Sequence, residues 1–348
     1  MGIISNWDII EKETRWVYSK LFENTVITSR IRLARNIKGY PFPHNITYEE
    51  SKKIEEFLIN IFLKMPFNKV FILDISSLKK KEKDFLIERH LISKEFCENG
   101  ICSKVIIIPE KKVTIMINEE DHLRIQVIFP GLNLKRCWKI ANEIDNYIDK
   151  MVEFAFLPNL GFLTACPTNI GTGLRGSVLM HIPGIKFLKK DRTIFDMIRK
   201  IGINIRGFYG EGSLPFGCIY QLSSSSSIGK TEIEIIKELE SVVKLIKEEE
   251  KKCIEEIRKD KNLKNKIYKK IKEICKEKNL NGKLSKLYSF LLLGIATNIF
   301  KVEKRELKKI LFSFLSEHKE LDGDNVNYNF SENKGKILKR KIWEIINV

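Results

Sequence analysis

Two periodicities of apolar and polar residues run through the first half of the chain. Thr25 to Asn36 opens as a β-branched run, and on an extended segment Arg30 and Arg32 share one face while Ile31 turns to the other. Tyr48 to Met65 sets Ile54, Phe57, Leu58, Ile61 and Leu63 among Glu and Lys at helical spacing. Lys69 to Asp74 reads as a short strand, and Lys80 to Leu91 as a helix that ends in Glu88-Arg89-His90. After a turn at Gly100, three strands are expected at Val105 to Ile108, Val113 to Asn118 and Arg124 to Phe129. Pro109-Glu110 and Glu119-Glu120-Asp121-His122 connect them. Arg136 to Phe156 then carries Trp138, Ile144, Ile148, Met151 and Ala155 on one stripe, an amphipathic helix.

Beyond that helix the pattern is broken by loops. Cys166-Pro167-Thr168-Asn169-Ile170-Gly171-Thr172-Gly173-Leu174-Arg175-Gly176-Ser177 bends through Gly and Pro ahead of a single Arg, and Val178 to Ile182 leads out of it. Arg192 to Lys200 reads as a helix. A strand-like start at Ile203 passes into Arg206-Gly207-Phe208-Tyr209-Gly210-Glu211-Gly212-Ser213, and Tyr220 to Ser223 continues as strand. The serine run Ser223 to Ser227 reads as a low-complexity turn. From Thr231 to about Glu277 the spacing is helical, and Asn279 to Gly282 breaks it. A buried helix follows at Leu284 to Ile299, an amphipathic one at Lys304 to His318, a polar stretch at Leu321 to Glu332 and a last helix from about Lys334 to Ile346. The chain thus reads as a sheet-rich body followed by a helical module.

Composition adds limits. With 348 residues, 43% of them apolar, the chain can build one large or two medium cores. No apolar run reaches the roughly 18 residues of a membrane span, and the first residues lack a signal-peptide pattern, so a cytoplasmic protein with reduced thiols is expected. Its seven Cys show no metal-ligand spacing. The net charge of +17 is spread along the whole chain, which favours a solvated Lys-rich surface over a nucleic-acid arm. Only 14 of the 62 basic residues are Arg, and three of those fall at Arg30, Arg32 and Arg35, so Arg clusters carry the information.

That information is chemical. Two guanidinium forks side by side suit a polyanion such as a triphosphate, although a strand with a solvated basic face is the commoner meaning. Three consecutive carboxylates before Arg124 suit a cation or a planar fork, although an exposed acidic turn is the bland alternative. A lone His90 is more often structural than a ligand. Gly171-x-Gly173-x-x-Gly176 matches a dinucleotide fingerprint only as a string, with no strand before it, and Gly229-Lys230-Thr231 lacks the first Gly of a phosphate-binding loop.

Taken together, the Arg strand, the Asn-Glu-Glu-Asp-His-Leu-Arg connection, the Cys-Pro-Thr-Asn loop and the Arg-Gly-x-x-Gly-Glu loop resemble the catalytic domain of the phosphagen (guanidino) kinases. The motifs occur in that family's order over about residues 25 to 235. The nearly immediate start at the Arg strand, the helical tail, and Glu211-Gly212-Ser213 followed by Gly217-x-Ile219-Tyr220-Gln221-Leu222-Ser223 are similar to the family's bacterial protein-arginine kinase branch. The resemblance implies an α+β fold, with a mainly antiparallel, helix-flanked catalytic domain over residues 1–255 and a C-terminal all-helical domain over 256–348. It implies transfer of the ATP γ-phosphoryl group to protein arginine side chains, with Mg²⁺ held mainly through the nucleotide phosphates and no metal site of the protein's own.

Carried over position by position, the resemblance makes Glu120 and Glu211 the acceptor carboxylates, with Asp121 beside the first and Cys166 as the reactive thiol near the acceptor. The implied ATP site comprises Thr28, Ser29, Arg30, Ile31, Arg32, His90, Arg124, Arg175, Gly176, Ser177, Val178 and Leu179, together with Arg206, Gly207, Phe208, Tyr209, Gly210 and Glu211. Arg35 is read as a support. Implied partners are proteins with accessible Arg, a zinc-binding activator protein, a Clp ATPase and further copies in a homodimer or larger oligomer, with no membrane and no direct nucleic acid; the implied setting is stress response and protein quality control. A kinase for a small guanidino compound, and an inactive scaffold of the Clp system, are the alternatives. Two departures stand out: Leu214-Pro215 follows Ser213 where the branch has Glu, and Gly335-Lys336-Ile337-Leu338-Lys339-Arg340 replaces the branch's Arg-Asp-x-x-Arg-Ala phosphoarginine pocket, which predicts weak feedback.

Overall fold

The computed structural model describes residues 7–15, 25–99, 101–207, 217–277, 283–300, 319–322, 325–328, 340 and 342. Two compact units emerge: Met1–Lys20, Thr28–Val178 and Ser223–Ser241 form the first, and Leu21–Ile27, Leu179–Leu222 and Val242–Val348 the second. In chain order the helices are α1 (Trp7–Glu13), α2 (Tyr48–Lys64), α3 (Lys80–Glu88), α4 (Lys94–Asn99), α5 (Leu134–Asp149), α6 (Pro183–Phe187), α7 (Asp191–Lys200), α8 (Glu232–Lys259), α9 (Lys261–Lys276) and α10 (Leu284–Ala296). The strands are β1 (Val26–Arg35), β2 (Phe71–Asp74), β3 (Lys104–Ile108), β4 (Val113–Ile117), β5 (Leu123–Pro130), β6 (Phe156–Leu157), β7 (Gly161–Phe162), β8 (Leu174–His181), β9 (Ile203–Arg206), β10 (Ile219–Ser224), β11 (Lys319–Asp322) and β12 (Asn325–Tyr328).

In the first unit the sheet runs β2-β3-β4-β5-β1, continues into residues 174–178 of β8, and ends on residues 223–224 of β10. The ladders β2 to β3, β3 to β4, β4 to β5 and β5 to β1 are antiparallel, as the resemblance implies. Val105 to Ile108, Val113 to Ile117 and Leu123 to Phe129 are buried throughout, so these strands read as nearly continuous apolar runs rather than alternating ones. α5 lies on β5 and buries Leu134, Cys137, Ala141, Ile144 and Ile148. α2 starts where a capping box forms: Glu50 N–H donates to Thr47 Oγ1 (3.3 Å), and Thr47 N–H donates back to Glu50 Oε2 (3.0 Å). In the second unit the rest of β8 and β10 lie in the order β8-β10-β9, with α6, α7, residues 242–259 of α8, α9 and α10. Among the described residues no helix is long and apolar enough to cross a membrane.

Several expected boundaries move, each for a physical reason. The helix expected to run to Phe156 ends at Asp149, because residues 153–155 pair with the segment just past β1 instead: Lys38 N–H donates to Glu153 O (2.9 Å) and Ala155 N–H to Asn36 O (2.7 Å). The helix expected from Thr231 to Glu277 is two helices, since the Asp260 carboxylate caps a new start by accepting from Asn262 and Leu263 N–H (2.7 and 3.1 Å). The serine run is not a loose turn: Ser223 and Ser224 close β10, and buried Ser227 lies within hydrogen-bond distance of Asn169 O and Ile170 O. In the helical tail, part of the polar stretch forms the hairpin β11–β12, with Leu321 paired to Val326. The helix expected at Lys304 to His318 lies outside the described residues, as does most of the last one.

Candidate active site

β1 and β5 build one wall of the site. Their register sets Arg30 opposite Ile128, Arg32 opposite Gln126 and Ala34 opposite Arg124, so Arg30, Arg32, Gln126 and Arg124 share a face. Arg175, one residue into β8, belongs to the same cluster. Burial lowers the pKa of the Arg32 guanidinium well below its ordinary value, and the charges of Arg30, Arg124 and Arg175 lower it further, with Glu119 opposing. The cluster concentrates positive charge on one face, with Glu119 and Glu120 pairing Arg124 at its edge, an arrangement suited to a polyanion. Arg30 is aimed by its Nε–H, which donates to Ser177 Oγ (3.1 Å).

Gln126, which the motif reading passed over, ties a further element to this face. Its amide donates to His90 O (2.8 Å) and Leu91 O (3.2 Å), just past α3, where His90 takes the left-handed φ of 52°. The signal that could have found Gln126 is its place: a polar residue two positions after Arg124 in an otherwise apolar strand.

The acidic turn between β4 and β5 divides its carboxylates by burial. The Glu119 side chain is 5% exposed and accepts from Ser93 Oγ (2.6 Å) and Arg124 Nη1 (2.7 Å), whereas that of Glu120 is 44% exposed and accepts from Arg124 Nη2 (2.7 Å). Asp121 is buried, and burial raises its pKa even though Ala165 N–H (2.8 Å) and Asn36 Nδ2 (2.6 Å) both donate to Oδ1. His122 accepts the Ile37 N–H at Nδ1 (3.0 Å) and donates from Nε2 to Pro41 O (2.8 Å), a neutral tautomer that matches its burial-depressed pKa of about 4. Asp121 and His122 therefore brace the end of β1 and the segment leading to Cys166, while Glu120 faces outward.

The Cys166 loop makes a short 3₁₀ turn over Pro167–Asn169, and Cys166 Sγ lies 3.0 Å from Thr168 Oγ1. Gly171 and Phe162 exchange backbone hydrogen bonds (2.7 and 3.4 Å), which stitches the loop to β7. Its last glycine, Gly173, has φ +67°, and a Cβ there would stand 2.4 Å from Arg35 Nη1 and 2.6 Å from Ala34 O. Gly176 N–H donates to Ser224 Oγ (3.2 Å).

Of the residues expected at the site, Arg30, Arg32, Arg124, Arg175, Ser177, Glu120 and His90 are brought to this face or its rim. Thr28 and Ile31 are buried in β1, Thr28 on the arginine face and Ile31 on the opposite one, and Ser29 Oγ donates to Gly131 O (2.8 Å) while accepting from Asn133 N–H (2.9 Å). Val178 is buried in β8. Leu179, Arg206 at the end of β9, and Gly207 belong to the second unit. Phe208, Tyr209, Gly210 and Glu211 lie outside the described residues. Among the described residues no cluster of three or more His, Cys, Asp or Glu side chains could hold a metal ion.

β1, β5 and the start of β8 thus gather four arginines, with the half-exposed Glu120 at their edge. Comparison with known proteins gives the family. Residues 52–253 match the model described as ATP:guanido phosphotransferase, C-terminal catalytic domain, and the chain belongs to that family. It is 42% identical over 250 residues to proteins named protein-arginine kinase from Bacillus cereus and Bacillus mycoides, covering 70% of this chain and 70% of theirs. Among solved structures it is similar to the substrate-free duplicated taurocyamine kinase of Schistosoma mansoni (TM-score 0.57, 27% identity), over 68% of this chain and 34% of that one. Its fold also matches lombricine kinase (TM-score 0.56, 23% identity), over 65% of this chain and 66% of that one. The chain thus spans about a third of the duplicated kinase.

Proposed function

We propose that this chain is a protein-arginine kinase, transferring the γ-phosphoryl group of ATP to arginine side chains of proteins. The observation that supports the reading is Arg124, whose charge acts on Arg32 in the arginine cluster and which also donates to Glu120, an arrangement suited to a triphosphate beside an acceptor guanidinium. The identity to relatives named for that activity points to protein acceptors rather than small ones.

Bound ATP, with Mg²⁺ carried on its phosphates, supplies the phosphoryl group. Arg30, Arg32, Arg124 and Arg175, with Arg206, hold the phosphates and neutralise charge as the bond between the γ-phosphorus and the bridging oxygen breaks. An acceptor guanidinium is a poor nucleophile because it stays protonated. Glu120 orients it and takes the proton released as the N–P bond forms, and Glu211 is the second acceptor carboxylate. Asp121 acts from behind by fixing Ala165 and so the approach to Cys166, whose thiol tunes the site rather than attacking.

The family model's end at residue 253 supports the end of a catalytic segment over 1–255, followed by a mainly helical segment over 256–348 that also carries β11 and β12. A cytoplasmic location, a zinc-binding activator, a Clp-type ATPase, a role in stress response and assembly into a homo-oligomer complete the proposal and rest on the family resemblance. Incubation with radiolabelled ATP and a loosely folded Arg-rich protein, with free arginine, taurocyamine and creatine in parallel, tests the central claim. Acid-labile label on protein is expected; label on a free guanidino compound alone would overturn it.

A further inference from the structure

Arg35 is not among the arginines assigned above to the nucleotide phosphates. It follows Arg30 and Arg32 on β1 but projects to the opposite face, where it is 1% exposed. There its guanidinium joins three parts of the chain. Nη2 donates to Asp145 Oδ2 on α5 (2.6 Å), and Nη1 donates both to Ala34 O (2.9 Å) and to Thr172 O in the glycine loop (2.9 Å). Its Cζ lies 3.6 Å from the ring centroid of Phe162, the residue that is hydrogen-bonded to Gly171. Ala34 N–H donates in turn to Gly173 O (3.0 Å), and Gly173 has no room for a side chain against Arg35. The carbonyl held by Arg35 is three residues before Arg175.

We propose that Arg35 is a positioning residue for phosphoryl transfer: by clamping Thr172 and Gly173 to the end of β1, it sets where Arg175 stands relative to Arg30 and Arg32. The inference rests on the reading that Arg175 holds nucleotide phosphate. A fold that needed only a buried charge opposite Asp145 could use Lys. The fork geometry, with two nitrogens serving three acceptors while the plane stacks on Phe162, needs Arg. Arg35 acts through the loop, so its effect passes through Arg175 and not through direct contact with the nucleotide.

Nucleotide affinity measured by calorimetry with Mg²⁺ and ADP needs no acceptor, which separates this inference from the identity of the substrate. Arg35→Lys is expected to weaken ADP binding about tenfold or more, since misplacing Arg175 forfeits a charge-assisted contact to phosphate. In the double variant with Arg175→Ala the loss should be no greater than for Arg175→Ala alone, because the two act in series. A general loss of stability would give additive effects instead. If Arg35→Lys melts without cooperativity, Phe162→Leu, which keeps every hydrogen bond and removes the stacking ring, carries the same expectation at smaller magnitude. Unchanged affinity in a folded Arg35→Lys or Phe162→Leu protein, or additive losses with Arg175→Ala, would overturn the proposal. Unchanged affinity in Arg175→Ala itself would overturn instead the phosphate role on which it rests.

Discussion

Arg124 is shared between Glu119 and Glu120, each taking one of its terminal nitrogens at 2.7 Å. The two contacts differ in kind. Glu119 is buried and fixed from the other side by Ser93, while Glu120 stands half in water. Burial lowers the Arg124 pKa and the carboxylates raise it, with the net shift upward, so this guanidinium stays charged. A guanidinium is also what an arginine acceptor presents. Glu120 thus holds, in this arrangement, an internal copy of the group it is proposed to bind, and Arg124 drawn toward phosphate would release it.

The first prediction separates the two glutamates. Glu120→Gln should slow transfer by on the order of 10²-fold or more while sparing nucleotide affinity, because a positioned proton acceptor is lost and the phosphate cluster is not. Glu119→Gln should weaken nucleotide binding as well, since Arg124 loses its fixed partner and the Gln amide offers one acceptor oxygen in place of two. Turnover and ADP affinity measured on both variants check this; equal profiles for the two would refute the division of labour.

A second prediction contrasts two glycines of nearly the same backbone conformation. Gly173 has φ +67° and Gly229 φ +71°, but a Cβ at Gly173 meets Arg35 and Ala34, whereas at Gly229 nothing lies within 4 Å. Both substitutions to Ala carry the conformational penalty of about 1 kcal/mol. Only Gly173→Ala also displaces the loop before Arg175. ADP affinity should therefore fall in Gly173→Ala and remain near wild type in Gly229→Ala, with thermal melting used to show that both fold.

Much of this was legible in the chain because motif residues and periodicity agree. The Arg30-x-Arg32 alternation predicted one shared face, and the register of β1 against β5 places both there with Arg124. The missing parts are those whose partner is distant in sequence. Asp145 is one of several polar residues on an amphipathic helix, and nothing local marks it as the counter-ion of Arg35, 110 residues away. Ser227 looked like low-complexity sequence until the Asn169 and Ile170 carbonyls came beside it. The end of α5 failed for the same reason: the apolar stripe continues to Ala155, but pairing with Asn36 outweighs helical propensity. Glu119 and Glu120 are adjacent and chemically identical in sequence, so only burial distinguishes them.

A third prediction concerns Ser227, whose buried hydroxyl lies 3.0 Å from Asn169 O and 2.8 Å from Ile170 O. Ser227→Ala leaves those carbonyls short of a donor, with a loss of about 1–3 kcal/mol. The Cys166 loop should loosen with it. Faster alkylation of Cys166 by a neutral maleimide, together with a lower melting temperature, is the expected result; an unchanged rate would mean that the loop is held by its other contacts.

The last prediction follows from two buried groups of the second unit whose protonation preferences oppose each other. Glu250 on α8 accepts the N–H groups of Gly184 and Ile185 (2.7 and 2.8 Å), yet burial outweighs those bonds and raises its pKa from 4.5 to about 8. His181, with Nε2 3.0 Å from Ser289 Oγ, is pushed by burial from 6.5 down to about 3. The folded state thus favours protonated Glu250 and neutral His181. The Glu250 contribution is complete below about pH 4.5 and is lost as pH rises toward 8, while that of His181 is complete above about pH 6.5 and is lost as pH falls toward 3. Between pH 4.5 and 6.5 the two slopes, each up to about 1.4 kcal/mol per pH unit, run in opposite directions. Above pH 6.5 only the Glu250 slope remains, so stability should decline from there to about pH 8. In Glu250→Gln the absolute stability drops, because one of the two backbone donors loses its acceptor, but the decline between pH 6.5 and 8 should flatten. Urea unfolding of both proteins at half-unit pH steps reads the slopes directly, and a variant that kept the wild-type slope would show that Glu250 is ionised in the folded state at neutral pH.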